Sequence, residues 1–159
     1  MMERSGTHDA AGCRFAVVVS RFNEEITEGL LRGARHVLEQ ASVSGDDITL
    51  MRVPGAFELP IAALHAAETG RFDAVICLGC LIKGDTMHFE YIASAASHGI
   101  MDAAQATGVP ITFGLLTTLT EAQAEARSGD GPENKGREAA LAAVEMATLF
   151  RAMHDEAGA

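Results

Sequence analysis

Lysine occurs only twice in this 159-residue chain, at Lys83 and Lys135, and the 12 basic residues face 22 acidic ones for a formal net charge of −10. Phosphate backbones are held by clustered Lys and Arg, so this balance excludes a nucleic-acid partner and makes any local positive charge conspicuous. Long apolar runs are missing as well. The longest, Ala74 to Ile82, falls far below the roughly 20 residues of a spanning helix, so no membrane segment is expected. Residues 1–13 carry acids, lack an apolar middle and are poor in Arg, which fits neither a secretory nor a transit signal. They are expected to form a flexible arm on one cytoplasmic domain spanning residues 14–155.

Metal-ligand spacing is also absent. His88 and His98 stand ten residues apart, with no H-E-x-x-H and no cysteine–histidine pattern, so no metal is expected. Neither G-x-x-x-x-G-K-[ST] nor G-x-G-x-x-G occurs, which removes the usual support for nucleotide binding. Cys77 and Cys80 form a C-x-x-C, but inside the strand-like run AVICLG rather than at a helix start. Their thiols should point differently and stay inert.

What is present is an alternation of short β-branched runs with longer stretches of helical period, the pattern of a parallel sheet covered by helices. Strands are expected over 14–19, 48–53, 74–78 and 111–116. Ile26, Leu30, Ala34, Val37, Leu38 and Ala41 recur at helical spacing before Ser44 and Gly45 end the run. A second helix over 59–69 stops at Gly70. A third, over 88–107, has Glu90 and Asp102 as its only formal charges, and a last one over 134–153 is Ala-rich. Helices so short of solvated faces imply homo-oligomerisation. The class is α/β: a single-domain three-layer α/β/α sandwich on a flavodoxin-like four-stranded parallel sheet of order 2-1-3-4. Its ligands are expected in the crevice at the carboxyl ends of strands one and three.

The residues that follow each strand carry the functional signal. After strand one, SRFN puts Phe22 at a turn, where it either stacks on something planar or merely staples the next helix. After strand two, the rigid turn PGAFELP brings Ala56, Phe57 and Glu58 beside the crevice, although Glu58 could equally be a first-turn acid. After strand three come Cys80, Leu81, Ile82 and Lys83, then Gly84, Asp85 and Thr86 immediately before a helix. Their backbone N–H groups can converge on an anion such as phosphate, while Asp85 or Thr86 could also be a plain N-cap. His88, in the first helical turn, could shuttle protons near neutral pH, yet a lone histidine is more often structural. Arg127, Lys135 and Arg137 flank the Gly-rich bend SGDGPENKG as an anion-seeking cluster, and Phe113 stands on strand four.

Taken together, SRFN, VPGAFELP, GCLIKGDTMHFEY, TFGLLTT, EAQAEARSG and ENKG resemble, in order and spacing, the lumazine synthase family over about residues 15–153. The resemblance implies that 5-amino-6-(D-ribitylamino)uracil condenses with 3,4-dihydroxy-2-butanone 4-phosphate to 6,7-dimethyl-8-ribityllumazine, releasing phosphate and water, in the penultimate step of riboflavin biosynthesis. No cofactor is implied. It further implies that Phe22 stacks on the pyrimidine, with Ala56, Phe57, Glu58, Cys80, Leu81 and Ile82 holding its edge and ribityl chain. Gly84, Asp85 and Thr86 would bind the phosphate through their backbone, the Asp85 carboxylate turning away, and His88 would transfer protons. Arg127, Phe113 and Lys135 would arrive from a neighbouring subunit. The implied partners are the two small-molecule substrates, further copies of the chain in a pentamer or a 60-subunit shell, and riboflavin synthase. A non-catalytic flavin or lumazine binder could dispense with His88, and a structural shell protein would let these motifs drift. An electron carrier of this fold needs a phosphate loop after strand one, where SRFNEE is acidic and bulky.

Overall fold

In the computed structural model, which describes residues 1–158, β1 (Phe15–Ser20) and β3 (Ala74–Ile82) are the central strands of a sheet of order β2-β1-β3-β4. Their apolar runs are buried on both faces, as a parallel sheet between helical layers requires. The edge strands are β2 (Ile48–Val53) and β4 (Ile111–Thr118), and every pairing is parallel. This is the expected α/β architecture and strand order. On one face Phe15, Val17, Val19, Ile76 and Leu78 pack against Leu30 and Leu38 of α1 (Glu24–Gln40) and Val144 of α5 (Lys135–Ala157). On the other, Ala16, Val18, Val75 and Cys77 meet Leu59 and Ala63 of α2 (Leu59–Glu68) and Ile100 of α3 (His88–Thr107). Each fully buried Leu or Ile contributes about 1.5–3 kcal/mol relative to its exposed state. Among the described residues no helix is long and apolar enough to cross a membrane.

Small residues bring α1 and α5 together. A Cβ at Gly136 would lie 1.9 Å from the carbonyl oxygen of Leu30, and one at Gly33 would lie 2.2 Å from Asn134 Oδ1. Both are closer than any real contact. Two strands are longer than expected, since pairing of β3 with β4 continues to Ile82 opposite Thr118, beyond the anticipated ends at 78 and 116. A short helix, α4 (Glu121–Ala126), was not anticipated; its Thr120 and Gln123 form a reciprocal capping box. The first thirteen residues, expected as an arm, run along α5. Arg4 pairs with Glu156, Thr7 N–H donates to Thr148 Oγ1 at 2.9 Å, and Ala10 is fully buried.

Candidate active site

The turn from β1 to α1 is fastened to both neighbouring strands. Arg21 N–H donates to Val53 O at 2.8 Å, Phe22 N–H donates to Pro54 O at 3.2 Å, and the Asn23 amide donates to Cys80 O at 2.9 Å. Asn23 adopts left-handed geometry (φ 58°, ψ 52°), which Asn tolerates better than most residues. Held this way, the Phe22 ring stands 62% exposed at the rim of a cavity. That exposure speaks against a purely structural staple.

After β2, Pro54 and Gly55 lead into a 3-10 turn over Ala56–Glu58 that runs directly into α2. Ala56 is buried, Phe57 is exposed, and Glu58 occupies the N-cap position of α2 without a side-chain capping bond. It stands at the helix start, as the first-turn reading of this acid required, and it also lines the cavity described below. After β3, Lys83 N–H donates to Thr118 O at 2.9 Å, and residues 84–87 are then exposed up to the start of α3. Met87 is the N-cap residue and makes no side-chain cap. Neither Asp85 nor Thr86 takes that place; Thr86 Oγ1 accepts from His88 N–H only at 3.5 Å. The first N–H groups of α3 thus lack a strong internal acceptor, the condition under which a helix start attracts an anion. Lys83 adds positive charge there and lies 3.4 Å from Glu90.

These three segments enclose a cavity of about 550 Å³ at the carboxyl ends of β1 and β3. Of the residues singled out from sequence, Phe22, Ala56, Phe57, Glu58, Leu81, Ile82, Gly84, Thr86 and His88 line it. Asp85 and Cys80 do not. Asp85 is exposed on the loop, and the Cys80 side chain is buried in the α1/α5 core while its carbonyl accepts from the Asn23 amide. Burial pushes the Cys80 thiol up to about 11 and the Cys77 thiol, in the opposite core, up to about 12. Protonated thiols on opposite faces of one strand form no redox pair. Pro54, Gly55, Phe89 and Ile92 also line the cavity and were missed, although Ile92 stands one helical turn after His88.

A second hollow of about 280 Å³ lies along β4 and shares no residue with the first. Phe113, Arg127 and Lys135 line it together with Glu138, whereas Arg137, the third cation of the expected cluster, does not and instead donates to Asp130 O at 3.0 Å. Arg127 donates to Gln123 O at 2.9 Å, and Lys135 Nζ lies 2.6 Å from Glu138 Oε2. Among the described residues no group of three or more His, Cys, Asp or Glu is placed to hold a metal ion.

Fold and cavity together define a flavodoxin-like α/β protein with a hollow at the carboxyl edge of its sheet. The family model described as 6,7-dimethyl-8-ribityllumazine synthase matches residues 12–151. The protein of that name from Salinibacter ruber (strain DSM 13855 / M31) is 54% identical over 139 residues, covering 87% of this chain and 89% of the relative. Its counterpart from Syntrophus aciditrophicus (strain SB) is 51% identical over 142 residues, covering 89% and 92%. The chain belongs to the 6,7-dimethyl-8-ribityllumazine synthase family, and is thus a transferase of riboflavin biosynthesis acting on small molecules.

Proposed function

We propose that the cavity at the ends of β1 and β3 is one half of the site where 5-amino-6-(D-ribitylamino)uracil condenses with 3,4-dihydroxy-2-butanone 4-phosphate. The other half is the β4 hollow of a neighbouring copy. The observation that carries this reading is the division of the residues: ring, backbone anion cradle and imidazole in one hollow, Phe113, Arg127 and Lys135 in another. A single chain presents two incomplete walls. In the completed site Phe22 stacks on the pyrimidine, Ala56, Phe57, Glu58, Leu81 and Ile82 hold its edge and ribityl chain, and Gly84 to Thr86 meet the phosphate with Arg127. His88 transfers protons as the 5-amino group forms an imine with the ketone and as phosphate leaves. Much of the rate comes from holding two reactive partners in register. The assembly is a pentamer at least, with a shell of 60 copies and contact with riboflavin synthase as its extensions, in a cytoplasmic setting.

The test is direct. Purified protein mixed with both substrates should develop lumazine absorbance and fluorescence, and no signal would refute the activity. Mixed assemblies of His88→Ala and Arg127→Ala chains should regain part of that activity, since some interfaces combine an intact His88 with a neighbour's intact Arg127. Assemblies of confirmed composition that stay as inactive as either parent would overturn the shared site.

A further inference from the structure

The bend between α4 and α5 is exposed from Gly129 to Glu133, yet the residue that closes it, Asn134, is only 2% exposed. Its amide is almost fully used. Nδ2 donates to Gly29 O of α1 at 2.9 Å and to Gly129 O of the bend at 2.7 Å, while Oδ1 accepts from Arg137 N–H at 3.1 Å. An N-cap needs only the last of these bonds. The other two tie the bend to a different helix. The surface of α1 has been cleared for it, because a Cβ at Gly29 would stand 2.2 Å from Ser128 O and one at Gly33 would stand 2.2 Å from Asn134 Oδ1. Next to this pin, Lys135 N–H donates to Arg127 O at 2.9 Å, so the backbones of the two cations of the β4 hollow are joined one residue away from it.

We propose that Asn134 is a positioning residue: its buried amide pins the bend to α1 and so fixes Arg127 and Lys135 as one wall for the phosphate-bearing substrate. The inference rests on the reading that this wall serves the reaction. Asn134 itself touches no substrate. It acts by removing the freedom of a Gly-rich segment that would otherwise have to be ordered each time substrate binds.

Asn134→Ser separates the pin from the cap, because serine caps a helix about as well as asparagine but cannot donate to Gly29 O and Gly129 O together. Asn134→Asp, another good cap with no donor, is the second variant and decides the matter if the first does not fold. The expected result is a roughly 10- to 100-fold rise in KM for 3,4-dihydroxy-2-butanone 4-phosphate, the scale of one misplaced charge-assisted hydrogen bond. The circular dichroism of the helices should be retained. In mixed assemblies, Asn134→Ser chains should restore activity with His88→Ala chains but not with Arg127→Ala chains, because only the latter share the damaged wall. A lowered melting temperature with unchanged KM would show a purely structural asparagine and overturn the proposal, as would equal complementation of both partners. If His88→Ala and Arg127→Ala fail to complement each other, the shared site falls; Asn134 is then judged by KM alone, an unchanged value refuting the pin.

Discussion

At the scale of the residue, the site is made by small turns that aim side chains. Phe22 is exposed because Asn23 accepts a left-handed conformation and its amide reaches across to the carbonyl of Cys80. That Phe22 and His88 lie at the cavity could be read from the sequence, since one follows the end of β1 and the other opens the helix after β3. The part played by Asn23 could not, because its partner is 57 residues away and appears only when β3 is laid beside β1. Phe22→Ala should weaken binding of the ribitylaminouracil more than that of the butanone phosphate, as only the former offers a face to stack on. The stacking itself is worth about 1 kcal/mol. Equal losses in the two Michaelis constants would contradict the stacking role. His88→Ala, at an exposed position, should leave the helix content intact and lower kcat by roughly 10- to 1000-fold, typical of one lost proton-transfer group. Unchanged turnover would remove His88 from the mechanism.

At the scale of the element, hydrophobic period located all four strands and the four long helices, while their ends followed tertiary contacts that no local pattern contains. Gly79 looked like the close of β3. The chain nevertheless stays extended to Ile82, because a glycine is what fits between Leu115, Ser20 and Leu59, each 3.0–3.1 Å from where its Cβ would be. That extension carries Cys80 inward to the α1/α5 core and leaves Leu81 and Ile82 at the cavity. The helix α4 has a local signal of its own in the T-x-x-Q spacing of Thr120 and Gln123. Glycines likewise set the distance between α1 and α5. Gly136→Ala would drive a methyl group against Leu30 O, so the helices must separate, at a cost of about 1–3 kcal/mol. For a chain of this size each kcal/mol lowers the melting temperature by about 2–4 °C. Gly45→Ala, where a Cβ meets nothing within 4 Å, is the control and should melt with the parent. Identical melting of the two variants would show that the close approach is not structurally important.

At the scale of the whole molecule, acidity and apolar surface oppose one another. Each chain brings a formal charge of −10 to any assembly, a repulsion that added salt screens. Against it stands α3, whose only formal charges are Glu90 and Asp102 and which buries just Ala96, Ile100 and Ala103 in its own chain. Its Tyr91 and Met101 are 71% and 59% exposed, a poor arrangement for a helix that remains in water. That scarcity of charge, legible in the sequence, is what the proposed assembly rests on; the number of copies and their angle have no counterpart in any local pattern. Met101→Glu tests the point. In an isolated chain this exposed position should tolerate glutamate within about 0.5 kcal/mol, as surface substitutions generally do. Buried against a second acidic copy, the same carboxylate would be an unpaired charge, with a penalty of about 2–5 kcal/mol at each interface. Sedimentation should therefore show folded, smaller species whose activity is lost along with the neighbour's Arg127 and Lys135, and partly regained at high salt. A variant that sediments and turns over like the parent would mean that α3 faces solvent, and the interface would then have to be sought on another face of the chain.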